Sequence, residues 1–314
     1  MTVFREDEIM TRATEIKASR RKIRESTGER VFNLLNIAVM AVVMVITLYP
    51  MLYVLFASVS DPIEILRHNG LLWFPKGFQI QAYVHVFKNP LLLSGYRNTI
   101  VYVVIGTALN LTLTTVGAYV LSRKQFIPRN FVMMMITFTM FFSGGLIPSF
   151  ILVKGLGMYD NMLALIIPKA ISAYNLIVMR TSLASMPVSL EESARIDGAR
   201  DLTIIAKIVI PLSMPIISVM LLFYSVEHWN AWFDAMIFIR NRRLYPLQLI
   251  LREILIGATQ TNLLSSVSDD SIRTGLEELV KYATVIVSTL PVLVVYPLLQ
   301  KHFVQGVMVG AVKQ

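Results

Sequence analysis

The chain has 314 residues, of which 55% are hydrophobic and only 16% charged. A soluble globular domain carries about 25% charged residues, so the apolar surplus implies a chain that faces lipid. In such a chain a net charge of +9 reads as loops beside anionic lipid rather than a nucleic-acid surface, and the lack of cysteine excludes disulfides and thiolate chemistry.

Residues 1–30 are polar and basic, with none of the pattern of a cleavable signal peptide. The run "KASRRKIRESTGER" fits either an amphipathic helix on anionic lipid or a solvated start. A bilayer core takes about 20 mostly apolar residues per helix, because lipid cannot satisfy an open backbone. Six stretches qualify: residues 31–60, 99–122, 130–153, 161–179 (interrupted only by Lys169), 208–226 with its apolar character resuming up to 239, and 282–300. The expected fold is therefore all-α, an integral membrane protein of six transmembrane helices. It divides into a basic arm (1–30), a membrane domain (31–303) and a short tail (304–314).

Six spans put both termini on one side. With the amino terminus inside, 17 Lys and Arg lie inside and 11 outside, which favours that orientation, although "RNRR" at 240–243 falls on the outer side. Outside, residues 61–97 with "LLWFPKGFQIQAYVHVF" form an aromatic-rich cap, and 240–281 a long loop. Within that loop "LYPLQLILREILIGATQ" reads as a surface or interfacial helix, a seventh span being the alternative. The polar stretch "TQTNLLSSVSDDS" reads as flexible.

Ionisable and polar groups inside spans are costly and usually face a cavity or another helix. The fifth span concentrates Tyr224, Glu227, His228, Trp229, Asn230, Trp232 and Asp234. One reading is a sugar path, with aromatic faces stacking on rings while amides and carboxylates bind hydroxyls. The other is an interfacial aromatic belt with polar helix-packing groups. The third span carries "FFSGGLIPSF", whose glycines and proline suit either a moving helix or plain packing. The fourth adds Lys169, Ser172, Tyr174 and Asn175. Lys169 snorkels to the outer interface in the favoured reading and lines the passage in the other.

Between the fourth and fifth spans, "EESARIDGAR" (191–200) places five charged residues in ten. Pro187 can start a helix that continues through residues 189–196, with Glu191 and Glu192 at its positive end. Gly198 permits a left-handed turn. A second helix then presents Leu202, Ile205, Ile208 and Val209 along one face and ends before Pro211. An apolar stripe with a charged rim on an inward loop suggests a protein partner.

Glu192, Ala194, Asp197, Gly198, Ala199, Ile208 and Pro211 match the EAA loop of permease subunits in bacterial ABC importers, with Ser193 and Ile210 as mild departures. "HWNAWFDAM" and the ending "GVMVGAVKQ" resemble the carbohydrate-uptake branch, the permeases of complex-polysaccharide and oligosaccharide importers. The likeness runs from the first span to the tail.

That resemblance implies a multi-pass subunit of the bacterial plasma membrane with both termini cytoplasmic, moving an oligosaccharide or polysaccharide fragment inward. The EAA loop (187–211) would dock in a cleft of a nucleotide-binding ATPase subunit. Glu192 would make polar contacts there and Gly198 would supply the turn. It further implies a second permease, a heterodimer being expected over a homodimer, and an external solute-binding protein.

ATP and Mg would sit in the partner ATPase, and this chain itself holds no cofactor and no metal. It contains no Gly-Lys dipeptide for a phosphate-binding loop, no zinc-type histidine pair among His68, His85, His228 and His302, and no GxSxG elbow, so it does not read as an enzyme. An ion-coupled secondary transporter is the rival reading, and Glu227 and Asp234 would be its carboxylates.

Overall fold

The computed structural model describes residues 26–264 and 271–311, all helix and connecting turns among the described residues. Residues 1–53 and 54–314 form two compact units. The described part of the first is most of helix α1 (Thr27–Ser58). Its start is written locally: the Ser26 amide donates to Glu29 Oε2 (2.7 Å) and the Glu29 amide to Ser26 Oγ (3.2 Å), a reciprocal cap. Leu34, Ile37 and Ile46 are exposed, a surface suited to hydrocarbon. The rest of the 1–30 arm lies outside the described residues.

The second unit continues with α2 (Pro62–Arg67), α3 (Gln81–Lys88) and the long α4 (Pro90–Ser122). Helix α4 begins nine residues before the stretch expected from its charge-free run. Asn89 caps it by accepting from the Leu91 amide (2.9 Å), and Pro90 takes the first turn, where no amide is needed. Its face at Thr99, Tyr102, Gly106, Asn110, Thr114 and Ala118 is buried, while Ile100, Val104 and Val116 are exposed. The spacing of three to four residues sets one helical stripe, but polar groups occupy it, the reverse of a helix in water. Lipid takes the apolar side, and polar side chains serve helix–helix contact.

The expected third and fifth spans are each broken. Helices α5 (Arg129–Phe141) and α6 (Leu146–Gly155) meet at 117° across "FSGG". After α7 (Leu163–Ile166), α8 (Ala173–Ala184) and α9 (Ser189–Ile196), α10 (Asp201–Leu212) meets α11 (Met214–Trp229) at 85°. The fourth expected span is likewise not one helix: residues 167–172 are unwound between α7 and α8. Two helices, α1 and α4, are each long and apolar enough to cross a bilayer, and the two bent pairs make four if each counts as one span.

The chain closes with α12 (Phe233–Phe238), a short turn at Arg242–Leu244, α13 (Leu247–Leu264) and α14 (Ser271–Ala311). Helix α14 contains the stretch 282–300 and runs to Ala311 with no break at 304. Two expectations change here. The segment expected as a surface helix, α13, has Leu247, Ile250 and Leu251 fully buried, packed against α4 and α14. Thr99 Oγ1 accepts from the Leu247 amide (2.8 Å), while Asn98 and Tyr102 donate to the backbone just before it. Polar groups of α4, invisible to a scan of α13 alone, hold it in. Residues 259–264, expected to be flexible, are the last turns of α13, and 265–270 lie outside the described residues.

The main core of the second unit gathers Tyr119 and Leu121 of α4, Leu176, Met179 and Leu183 of α8, Ile204 and Val209 of α10, and Met220 and Tyr224 of α11. Every one of these elements meets α4 or its immediate neighbours, which makes α4 the axis on which the functional groups are placed.

Candidate functional site

Where α8, α11 and α12 converge, an open cleft of about 780 Å³ is lined by Lys169, Asn175, Phe223, Glu227, Asn230, Trp232 and Asp234. Lys169 Nζ lies 2.6 Å from Asp234 Oδ2 and 4.0 Å from Glu227 Oε1. One cation thus stands between two carboxylates 65 and 58 residues away in sequence. The side chains are 46%, 23% and 45% exposed, so the pairing itself contributes little, about 0–1 kcal/mol. Its consequence is chemical: a charged, hydrogen-bonding wall in an otherwise apolar subunit. The Trp232 ring carries the Arg252 guanidinium over one face, 3.6 Å from its centroid, and meets Phe233 edge-on.

Lys169 therefore does not snorkel away. Its backbone is the unwound 167–172 stretch, and non-helical backbone persists at membrane depth only where protein buries it or a cavity takes it up. Both conditions are met. Asn110 Nδ2 donates to the Lys169 carbonyl (2.6 Å) and the Ala170 carbonyl (3.1 Å). Asn110 Oδ1 is bonded to His228 Nε2 (2.8 Å). The Ser172 amide donates to the Tyr224 hydroxyl (3.3 Å), which is also bonded to Thr114 Oγ1 (2.7 Å). Asn110 and Thr114, one turn apart on α4, thus clamp the stretch from behind.

His228 is part of this clamp rather than of the cleft. It is 5% exposed and lies flat against Gly106, where a Cβ would overlap the ring. Trp229 also turns away: its indole donates to the Ser288 carbonyl (3.2 Å), it pairs with Tyr96, and it borders a small apolar pocket with Ile100 and Pro291. Tyr174 is half exposed and lines no part of the cleft. Of the fifth- and fourth-span candidates, Glu227, Asn230, Trp232, Asp234 and Asn175 come together, while His228, Trp229 and Tyr174 do not. The sequence reading passed over Asn110, although a lone amide in an apolar run is itself a signal for a packed polar contact.

At the other end of α4, the segment 187–211 folds as two short helices about Gly198, whose φ is +81°. Glu192, Asp197 and Gly198 are exposed, as are Ile196 at 86% and Leu202 at 78%. Ala194 and Ala199 point the other way, onto the main core. Leu202 is therefore not on the buried stripe expected for it; Ile204, Ile205, Ile208 and Val209 form that face. Helix α10 also does not end before Pro211. A π turn over Ile205–Val209 widens the helix just where the proline ring would otherwise meet the preceding carbonyls, so Pro211 is carried within it, exposed.

Glu191, next to Glu192, is buried at 6%. Its carboxylate is ion-paired with Arg123, which follows α4, and accepts from the Tyr119 hydroxyl at 3.4 Å. The Arg123 guanidinium lies 4.7 Å from the Tyr119 ring centroid. Among the described residues no group of three or more His, Cys, Asp or Glu is placed to hold a metal ion.

Residues 114–309 match the family described as "Binding-protein-dependent transport system inner membrane component". The chain is 38% identical over 286 residues to Protein LplC of Bacillus subtilis (strain 168), covering 90% of this chain and 95% of that protein. It is 38% identical over 289 residues to the polygalacturonan/rhamnogalacturonan transport system permease protein YtcP of the same organism, covering 90% and 99%. Its fold matches a chain in the crystal structure of a bacterial ABC transporter involved in the import of the acidic polysaccharide alginate. That match has a TM-score of 0.78 at 32% identity over 89% of this chain and 99% of that one.

Proposed function

The chain belongs to the family of binding-protein-dependent transport system inner membrane components, and we propose on that footing how it works as the permease of an ATP-driven sugar importer. It forms the membrane passage through which oligosaccharides or polysaccharide fragments move. It stands among permeases named for polygalacturonan/rhamnogalacturonan and arabinooligosaccharide transport. Family membership sets aside the ion-coupled alternative.

The observation that carries the path is the cleft of Lys169, Glu227, Asp234, Asn175, Asn230 and Trp232 beside an unwound backbone stretch. A sugar presents hydroxyls that both donate and accept, and a wall of amides, carboxylates and one ammonium answers both. The rim of Trp232 offers apolar surface to the ring carbons. Passage follows from two states of the helix bundle, biased by solute outside and ATP inside.

In this reading the protein crosses the membrane six times with both termini in the cytoplasm, the bent pairs and the unwound fourth stretch counting as spans. The 187–211 loop docks on the ATPase subunit, which binds ATP and Mg. Glu192 and Asp197 supply the polar contacts, Ile196 and Leu202 the apolar ones, and Gly198 the turn between them. Exposure of two large aliphatic side chains on a charged, water-facing loop supports this docking role. Ala194, Ala199 and Pro211 shape the loop from its inner side. A second permease completes the passage, and a solute-binding protein delivers the sugar.

The test is reconstitution of the complete transporter in vesicles with ATP inside. Uptake of labelled oligogalacturonides is compared with uptake of neutral arabino-oligosaccharides. ATP-dependent accumulation of either class supports the reading. Accumulation without ATP, driven by an ion gradient, would overturn it.

A further inference from the structure

The docking loop is fastened to the rest of the subunit at one charged point, and that point lies on the same helix that clamps the cleft. Glu191 and Glu192 are neighbours on α9, about 100° apart around its axis. Glu192 faces outward. Glu191 is turned inward and buried, ion-paired with Arg123 and reached by the Tyr119 hydroxyl. Arg123 and Glu191 are 13% and 7% exposed, so this is not a solvated surface pair. Removing one partner would leave the other charge buried and uncompensated. Arg180 adds a donor to the same corner, its Nε bonded to the Leu121 carbonyl at 3.2 Å.

From Arg123 back to Asn110 is thirteen residues, about 20 Å of continuous helix at 1.5 Å per residue. Asn110 holds the carbonyls of Lys169 and Ala170, and Lys169 is the cleft's cation. A rigid element therefore runs from the loop to the wall of the cleft, with a polar fastening at each end.

We propose that Arg123 and Glu191 are positioning residues that lock the docking loop to α4, so that loop and helix move as one body when the ATPase binds nucleotide. The inference rests on the docking role proposed for the loop. Displacement of α9 is carried through the buried ion pair into α4, and through Asn110 into the stretch that bears Lys169. The apolar contacts of Ala194 and Ala199 with the core let the loop slide. The ion pair fixes its register, because a buried charge has no second partner to slide onto.

The chain has no cysteine, so two labels can be introduced without background. Thr112→Cys and Ser189→Cys place spin labels on exposed positions of α4 and α9. Distances are read in the complete transporter, with and without a non-hydrolysable ATP analogue. In the parent the pair should shift by less than about 2 Å, whereas in Glu191→Gln it should shift by about 5 Å or broaden to match, a helical-turn slip. An equally fixed distance in an assembled Glu191→Gln transporter overturns the proposal.

If Glu191→Gln fails to assemble with the ATPase, the charge swap R123E/E191R decides. Assembly with a fixed distance supports the lock, while failure to assemble, or a free distance, overturns it. Absence of any ATPase in the purified parent complex would instead sink the docking role of the loop, and this proposal with it.

Discussion

Asn110→Ala is the sharpest test of the clamp behind the cleft. Asn110 is 1% exposed and makes three hydrogen bonds: two to the carbonyls of Lys169 and Ala170, one to His228. Interhelical hydrogen bonds in membranes average about 0.6 kcal/mol each, so the lost bonds account for about 2 kcal/mol. The carbonyls left unsatisfied in a water-poor site push the loss upward, at about 1–3 kcal/mol for a buried polar group without a partner. A loss of about 2 kcal/mol changes a folded-to-unfolded ratio about 30-fold.

The assay is unfolding of the purified subunit in mixed micelles of rising SDS, run for Asn110→Ala, His228→Ala and the double variant. The two residues share one bond, so their losses should fall short of additivity by about 0.5 kcal/mol or more. ATP-driven uptake should drop along with stability in both singles, because Lys169 loses its fixed place. An Asn110→Ala subunit with the parent's unfolding midpoint and uptake, or strictly additive losses, would refute the clamp.

Gly106→Ala should cost about 1–3 kcal/mol by overpacking, because its Cβ would overlap the buried His228 ring; the same SDS titration reads it. Gly198→Val should remove ATPase co-purification, since a β-branched residue is strained at φ +81°. Gly198→Asn, which tolerates that region, should retain it, and equal behaviour of the two variants would count against a conformational role. Lys169→Gln should leave stability within about 1 kcal/mol, as expected for a half-exposed pair. It should also lower uptake of oligogalacturonides about tenfold relative to neutral oligosaccharides if the ammonium meets a sugar carboxylate. Arg252→Ala should uncover one face of Trp232 at a cost of about 0.5–1 kcal/mol and change the intrinsic tryptophan fluorescence of the detergent-solubilised subunit.

The docking loop was legible because its instructions are local. Pro187, the acidic pair and Gly198 lie within twelve residues, and the helix 189–196 with its left-handed turn falls where they direct. Leu202 was misassigned because periodicity identifies an apolar face without saying whether the subunit or a partner covers it. Pro211 was read as a stop because sequence does not show the π turn that absorbs it. The cleft was half legible. Glu227, Asn230, Trp232 and Asp234 were picked out as polar groups in an apolar span. Which way each one faces depends on the break after Trp229, and that break sends His228 and Trp229 to the opposite side. Lys169 looked like an interfacial lysine because its partner Asp234 is 65 residues downstream, a separation no local pattern bridges.

The polar stripe of α4 has a consequence for how the protein is made. Thr114 and Asn110 find their partners only at Tyr224 and His228, 110 and 118 residues later in the chain. At the usual synthesis rate of about 5–20 residues per second, the stripe waits about 6–24 s for them. Throughout that interval a helix destined for lipid carries open hydroxyl and amide groups with no neighbour to receive them. The insertion machinery must keep α4 sheltered, or at the membrane's edge, until α11 emerges. Mutations that weaken this late pairing would then show first as fewer subunits reaching the membrane, before any change in how each one transports.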